Sequence, residues 1–213
     1  MTGSRALFSL SSINLLVVGL LTACAGTTTI STWHLQPATP TPPVTAPRCV
    51  VEIVGVSMPD PFDRAEFVLN GEAQQWVFAG QAYWASAFPQ VVAGRLAARL
   101  EQQLNLSGPA KIAVYASQRI GVSPDLQLRV QFNQIQNRLT EQGANFAASV
   151  NWTTQQTIIS TAKPPKTIPQ GMQVNKVSPR ADYAGLVQAT AQAVDAMADQ
   201  IVQQLPLPAS CKA

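Results

Sequence analysis

The chain has 213 residues, long enough for one domain with a sizeable core. Apolar residues make up 46% and charged residues only 12%, against about 25% in an ordinary soluble domain; Gln, Asn, Ser and Thr fill the deficit. A net charge of +3, with no run of Lys or Arg anywhere, excludes the basic stripe that nucleic-acid binding needs.

Arg5 precedes an apolar run from Ala6 to about Leu21. That layout is a secretory leader, because the positive end stays cytosolic while the apolar stretch enters the translocon. The leader ends in Leu21-Thr22-Ala23-Cys24, which resembles a bacterial lipobox. The resemblance implies cleavage before Cys24, a diacylglyceryl thioether on its sulfur and acylation of the new amine. Each buried lipid methylene contributes about 0.8 kcal/mol, so several acyl chains hold stably where one holds weakly. In diderm lipoproteins of this kind an Asp after the cysteine favours the inner membrane. Ala25-Gly26 stands there, so the periplasmic face of the outer membrane is expected. The alternatives are a plain secretory signal with an incidental cysteine, or an uncleaved anchor.

Residues 1–23 are thus expected to be the leader, 24–48 a Pro/Thr-rich linker and 49–213 the domain. Pro37, Pro40, Pro42, Pro43 and Pro47 favour extended polyproline geometry, a stiff spacer that would stand the domain off the membrane. Trp33-His34-Leu35 interrupts this linker and is a candidate to dock on the domain. If Cys24 carries lipid, Cys49 and Cys211 remain as a pair, and the oxidising periplasm permits a bond between them. Two unpaired thiols, or a bond to another chain, are the alternatives. Neither lies in a CxxC, which argues against a redox or zinc role.

Cys49 to Val56 is an apolar β-rich run suited to a central strand, and Met58-Pro59-Asp60-Pro61 stops it. Glu66–Leu69 and Gln75–Phe78 flank Asn70-Gly71, a hairpin signal. Val91, Val92, Leu96, Leu100 and Leu104 recur at helical spacing from Phe88 to Leu106, with Pro89 in the first turn. Lys111–Tyr115 is a short strand. Leu126, Leu128, Val130 and Phe132 alternate with polar residues, as do Phe146, Ala148, Val150 and Trp152, giving half-buried strands with a turn at Gln142-Gly143. Thr157-Ile158-Ile159 is a candidate continuation. Residues 162–179 read as a long loop. Ser178 and Pro179 then open the strongest helix, with Tyr183, Leu186, Val187, Val194, Met197, Ile201, Val202 and Leu205 in one stripe and Pro206 at its end. The expected fold is a single α/β domain, a mixed or antiparallel sheet packed by two main helices.

Chemistry is sparse. The single histidine, His34, falls in the linker. GxSxG, HExxH, P-loop and GxGxxG motifs are missing. Asp60, Asp63 and Glu66 read as a solvated turn, and Asp195 and Asp199 as a solvated helix face. No constellation converges, so the chain is read as a non-enzyme, with no cofactor beyond a covalent lipid on Cys24.

The order of elements behind a lipobox resembles the PqiC/YmbA-type ABC-transport auxiliary lipoproteins, over about Trp33 to Leu205. Trp33-His34-Leu35 resembles the family's aromatic-x-Leu, and Pro59-x-x-Phe62-Asp63-Arg64 its Pro-x-Tyr-Leu-Asp-Arg, with Asn70 following. Tyr83-Trp84-Ala85 resembles its aromatic-Trp-Ala, and Asp182-Tyr183 opens the last helix as in the family. Ser86, where the family often has Glu, and Phe88-Pro89 in place of Pro-Leu are departures. The resemblance implies an outer-membrane lipoprotein working with a periplasmic MCE-domain protein in lipid transport and envelope integrity. A homo-oligomer, in the form of a ring, is expected with that role. Asp63, Arg64, Tyr83 and Trp84 are candidate interface residues, since Tyr and Trp anchor interfaces and an Asp beside an Arg can brace a loop. A loop brace and core aromatics are the structural alternative. The alternative function is a lipid-anchored regulator of a cell-wall enzyme.

Overall fold

The computed structural model describes residues 29–36, 46–71, 75–106, 111–117, 122–157 and 169–211. Cys24, the leader, most of the proline run and Ile158-Ile159 lie outside them. In chain order the elements are β1 (Ser31–Trp33), β2 (Cys49–Ser57), a 3-10 turn (Asp60–Phe62), β3 (Glu66–Asn70), β4 (Trp76–Trp84), α1 (Phe88–Leu106), β5 (Ile112–Tyr115), β6 (Leu126–Thr140), β7 (Gly143–Gln156), β8 (Gln170–Ser178), α2 (Tyr183–Gln204) and a closing 3-10 turn (Ala209–Cys211).

β2 is as apolar as its position demands. It pairs in parallel with β5 on one side and β6 on the other, in a five-stranded sheet of order β5-β2-β6-β7-β8. β6, β7 and β8 are antiparallel neighbours, so the sheet is mixed. α1 packs on β2 and β5, and α2 on β6, β7 and β8, and the two helices touch each other. Both therefore cover one face of the sheet. α1 buries Val92, Leu96, Leu100 and Leu104. α2 buries Leu186, Val194, Met197 and Ile201, with Ala189, Ala193 and Ala198 among them. Fully burying one such large apolar side chain contributes about 1.5–3 kcal/mol. The alanines carry no bulk, which lets the α2 backbone approach its neighbours.

A second sheet of three strands, order β1-β4-β3, was not expected from the sequence. It meets the outer half of β6, past the last β2 pair at Gln131. Asn137 makes the join: its amide group donates to the Val68 carbonyl at 3.0 Å and its backbone N–H to Asn70 Oδ1 at 2.7 Å.

Four expectations need correction. The folded unit begins at Ser31, not Cys49: β1 pairs in parallel with β4 and Leu35 is buried, so the start of the linker is part of the fold. The alternation in β6 continues to Thr140, because a bulge between Phe132 and Gln134 lets Ile135 and Asn137 take over the buried side. The stretch 162–179 contains β8, an edge strand that buries only Val174 and Ser178. Ser178 does not cap α2. Asp182 is the N-cap, accepting from the Gly185 N–H at 2.7 Å, while the Ser178 hydroxyl lies 2.8 Å from Gln188 Oε1.

The hairpin of β3 and β4 forms as expected, but Asn70 closes β3 and pairs with Trp76, leaving five residues between them. Gly143, expected in a turn, opens β7 with φ of +141°; a Cβ there would sit 2.1 Å from the Ser178 carbonyl oxygen. Cys49 and Cys211 are joined by a disulfide across 162 positions, their Cα atoms 5.1 Å apart. The first residue of β2 is thereby tied to the last turn of the chain.

Candidate functional site

The distinctive surface begins where β2 stops. Pro59 and Pro61 force the chain into the 3-10 turn, which turns Phe62 inward. The Phe62 ring meets the Trp76 ring edge-on, with centroids 5.2 Å apart. Pro59, Phe62, Trp76, Ile135, Arg138 and Leu139 line an open groove of about 990 Å³ between the β3–β4 hairpin and the outer part of β6.

Beside the groove, Trp76, Val77 and Phe78 are 41%, 46% and 46% exposed. Successive strand residues point to opposite faces. Three exposed apolar residues in a row therefore mean that both faces of this end of β4 lie uncovered. Trp76 and Phe78 share one face, beside Phe62 and Arg64, and Val77 lies on the other.

The four candidate interface residues divide. Trp84 is 3% exposed and stacks between Phe67, at 4.1 Å, and Phe88, at 4.8 Å, so it is a core aromatic. Tyr83 is half-buried, and its hydroxyl donates to the Gly80 carbonyl at 3.2 Å. Gly80 adopts φ of +61° where the β3–β4 register slips, and its N–H donates to Glu66 Oε1 at 2.9 Å. Glu66 and Tyr83 thus fix the bend below the hairpin end. Arg64 is exposed and lies over the Phe78 ring at 4.7 Å, a cation–π contact; no ion pair joins it to Asp63, which is also exposed. Of the four, Asp63 and Arg64 are at the surface, Tyr83 braces the Gly80 bend and Trp84 belongs to the core.

Sequence reasoning missed the groups that join the helices. Arg95 is 7% exposed and grips Asp195 through Nε and Nη2 at 2.9 and 2.6 Å; its Nη1 donates to the Gln36 carbonyl. Arg99 pairs with Asp199 one turn on, at 3.0 and 3.1 Å. Asp195 and Asp199 are therefore not a merely solvated face. Both pairs advance in the same direction, so α1 and α2 run parallel. The hydrogen bond that Arg99 donates to Asp199 raises the Arg99 pKa above its ordinary value, with burial opposing. The Arg180 side chain first, and the Gly185 N–H second, hold the Asp182 carboxyl below the usual carboxylate range.

These groups are spent on structure. Glu52 is buried but receives the Gln127 amide at 2.9 Å, and Asp125 receives the Val50 N–H at 2.8 Å. Ligand atoms of Asp125, Cys49 and Cys211 lie within 4.8 Å of one another, but sulfurs bonded to each other are not thiolates. His34 is exposed, and lies with Arg95, Val187 and Gln188 along a shallow cleft of about 370 Å³. Among the described residues the arrangement brings no nucleophile to a base.

The sequence profile of the ABC-type transport auxiliary lipoprotein component family matches residues 33–202. The chain belongs to this family. The family is a transport auxiliary component and not an enzyme family. Its members' lipoprotein character makes membrane anchoring on the periplasmic side the expectation for this chain as well. Among solved structures, the chain is similar to an uncharacterized protein at 19% identity and a TM-score of 0.64, covering 83% of this chain and 99% of that one. It is also similar to protein XCC0632 from Xanthomonas campestris at 15% identity and a TM-score of 0.56, covering 81% and 92%. At such identities the likeness is one of fold. No protein of curated function matches the sequence.

Proposed function

We propose that this auxiliary lipoprotein is a non-catalytic, homo-oligomeric subunit of an MCE/ABC-type lipid transport system, held on the periplasmic face of the outer membrane by acylated Cys24. The family match over residues 33–202 carries the reading. The lipobox upstream and the Ala25-Gly26 pair after it support the anchor and its membrane. Among the described residues no helix is long and apolar enough to cross a membrane.

Two experiments test this. Globomycin treatment should leave an unprocessed precursor, and Cys24→Ser should move the protein from the membrane pellet to the soluble fraction. A precursor unchanged by the drug, with an equally sedimented variant, refutes the anchor. Cross-linking in the native envelope followed by mass spectrometry should recover an MCE-domain protein and copies of this chain. Recovery of a peptidoglycan enzyme in their place refutes the transport assignment.

A further inference from the structure

We infer that the outer end of β4, Trp76-Val77-Phe78, rests at headgroup level on the lipid bilayer that holds Cys24, as a second contact between domain and membrane. The inference deepens the proposed function and rests on its anchor.

The direction of β1 and the length of chain before it carry the argument. Ser31 pairs with Ala82 and Trp33 with Trp84, in parallel. The start of β1 therefore faces the end of β4 at which Trp76 lies. From Tyr83 back to Trp76 the partner strand takes only four residues, Glu66 to Asn70, about 13 Å. From Ser31 back to Cys24 is seven residues, a reach of at most about 25 Å even when fully extended. With β1 held in the sheet and Leu35 in the core, the long proline segment lies downstream of the docked strand and cannot lengthen the tether. A bilayer that holds Cys24 is thus within reach of the hairpin end, and a domain on so short a leash keeps one end against the lipid.

The chemistry of that end fits lipid. Trp76, the one nearest the turn, places an amphipathic ring at headgroup level, and Val77 and Phe78 add apolar area beside it. Arg64 lies over one face of the Phe78 ring, and the Gly80 bend is braced by Glu66 and Tyr83. Around it Arg64 and Arg138 are exposed beside Asp60 and Asp63, so neither sign dominates. The contact is consequently apolar in character, insensitive to the fraction of anionic lipid.

The test uses the full chain in phosphatidylethanolamine vesicles, with and without phosphatidylglycerol, whose acyl chains carry bromine as a depth-dependent quencher. Of the four tryptophans, Trp84 and Trp152 are buried and Trp33 is half-buried, so Trp76 is the indole open to lipid. Bromolipid should quench the parent, and Trp76→Phe should lose most of that quenching, a several-fold drop, at either lipid composition. Equal quenching in parent and variant, or none in the parent, overturns the inference. So does a Trp76→Ser/Phe78→Ser chain whose assembly size falls in the absence of lipid, which would assign the patch to a second copy. The intact mass of the same preparation reports acylation separately: an unacylated parent refutes the anchor, whereas an acylated parent without Trp76 quenching refutes the hairpin contact alone.

Discussion

Arg95 holds Asp195 in a two-pronged grip while its remaining nitrogen reaches the carbonyl of Gln36, so one guanidinium fastens α1, α2 and the strand that enters from the N-terminal side. With the Arg99–Asp199 pair one turn on, it ties the middles of the two parallel helices together. Removing one partner leaves a largely buried charge without its counterion. Asp195→Ala should therefore cost about 3 kcal/mol in urea unfolding, and Arg95→Leu with Asp195→Leu should recover much of the loss. Arg95→Leu should also speed amide exchange in residues 31–36, since the Gln36 carbonyl loses its donor. Unchanged exchange there would separate β1 docking from the helix clamp.

The bond between Cys49 and Cys211 closes a loop of 162 positions. Cross-linking so long a loop restricts the unfolded chain, and its loss should cost about 2–5 kcal/mol. Cys49→Ser with Cys211→Ser should lower the urea midpoint by a corresponding amount while leaving the far-ultraviolet spectrum native. Reductant should shift the parent to the same midpoint and leave the double variant where it is.

Gly143→Ala is expected to be among the most damaging small substitutions in the chain. The position combines a φ of +141° with backbone oxygen 2.1 Å from where a Cβ would stand. Both the β6–β7 turn and the β7–β8 ladder would have to shift, a loss of about 3 kcal/mol or more. Thermal unfolding of the variant, or its recovery in inclusion bodies, would register this. A wild-type melting temperature would show that the backbone relaxes there at little cost.

Asp182 carries a pH dependence of known sign. Its folded-state pKa lies below the ordinary 3.8, because Arg180 and the Gly185 N–H stabilise the carboxylate. The unfolded chain therefore binds this proton more readily, and the contribution is present above the ordinary value and lost as pH falls through the folded one. Asp182→Asn keeps a capping oxygen and removes the charge. The variant should melt below the parent at pH 6, and the gap should close in strong acid. A gap that stays constant down to pH 2 would assign the effect to cap geometry.

The main elements were legible where local pattern and burial agree. The stripe in α1, the apolar run of β2 and the alternation of β7 each state their partners on their face. What the sequence concealed has physical reasons. The bulge near Asn133 reverses which residues of β6 face inward, so alternation read straight through places its second half on the wrong side. β8 follows a proline-bearing stretch and is rich in Gln and Asn, because an edge strand beside one helix needs few apolar contacts. Asp182 outcompetes Ser178 as a cap since Ser178 is drawn into the sheet. The Arg–Asp clamp lies between residues 100 positions apart, and nothing local marks such pairs. At the candidate site Arg64 and Asp63 stand out as motif, but the exposed Trp76-Val77-Phe78 reads like any half-buried strand, because nothing local shows that β1 stops at Ala82 and leaves this end of β4 paired with β3 alone.

The closure at Cys49 and Cys211 gives the molecule a ring-like covalent path. A protease that nicks any single peptide bond between those positions liberates nothing: both halves stay on one frame, and the lesion becomes visible on a gel only after thiol is added. Damage to this protein would therefore accumulate silently in an oxidising compartment, whereas, under the proposed acylation of Cys24, one cut between it and β1 would free the folded body from its lipid at once.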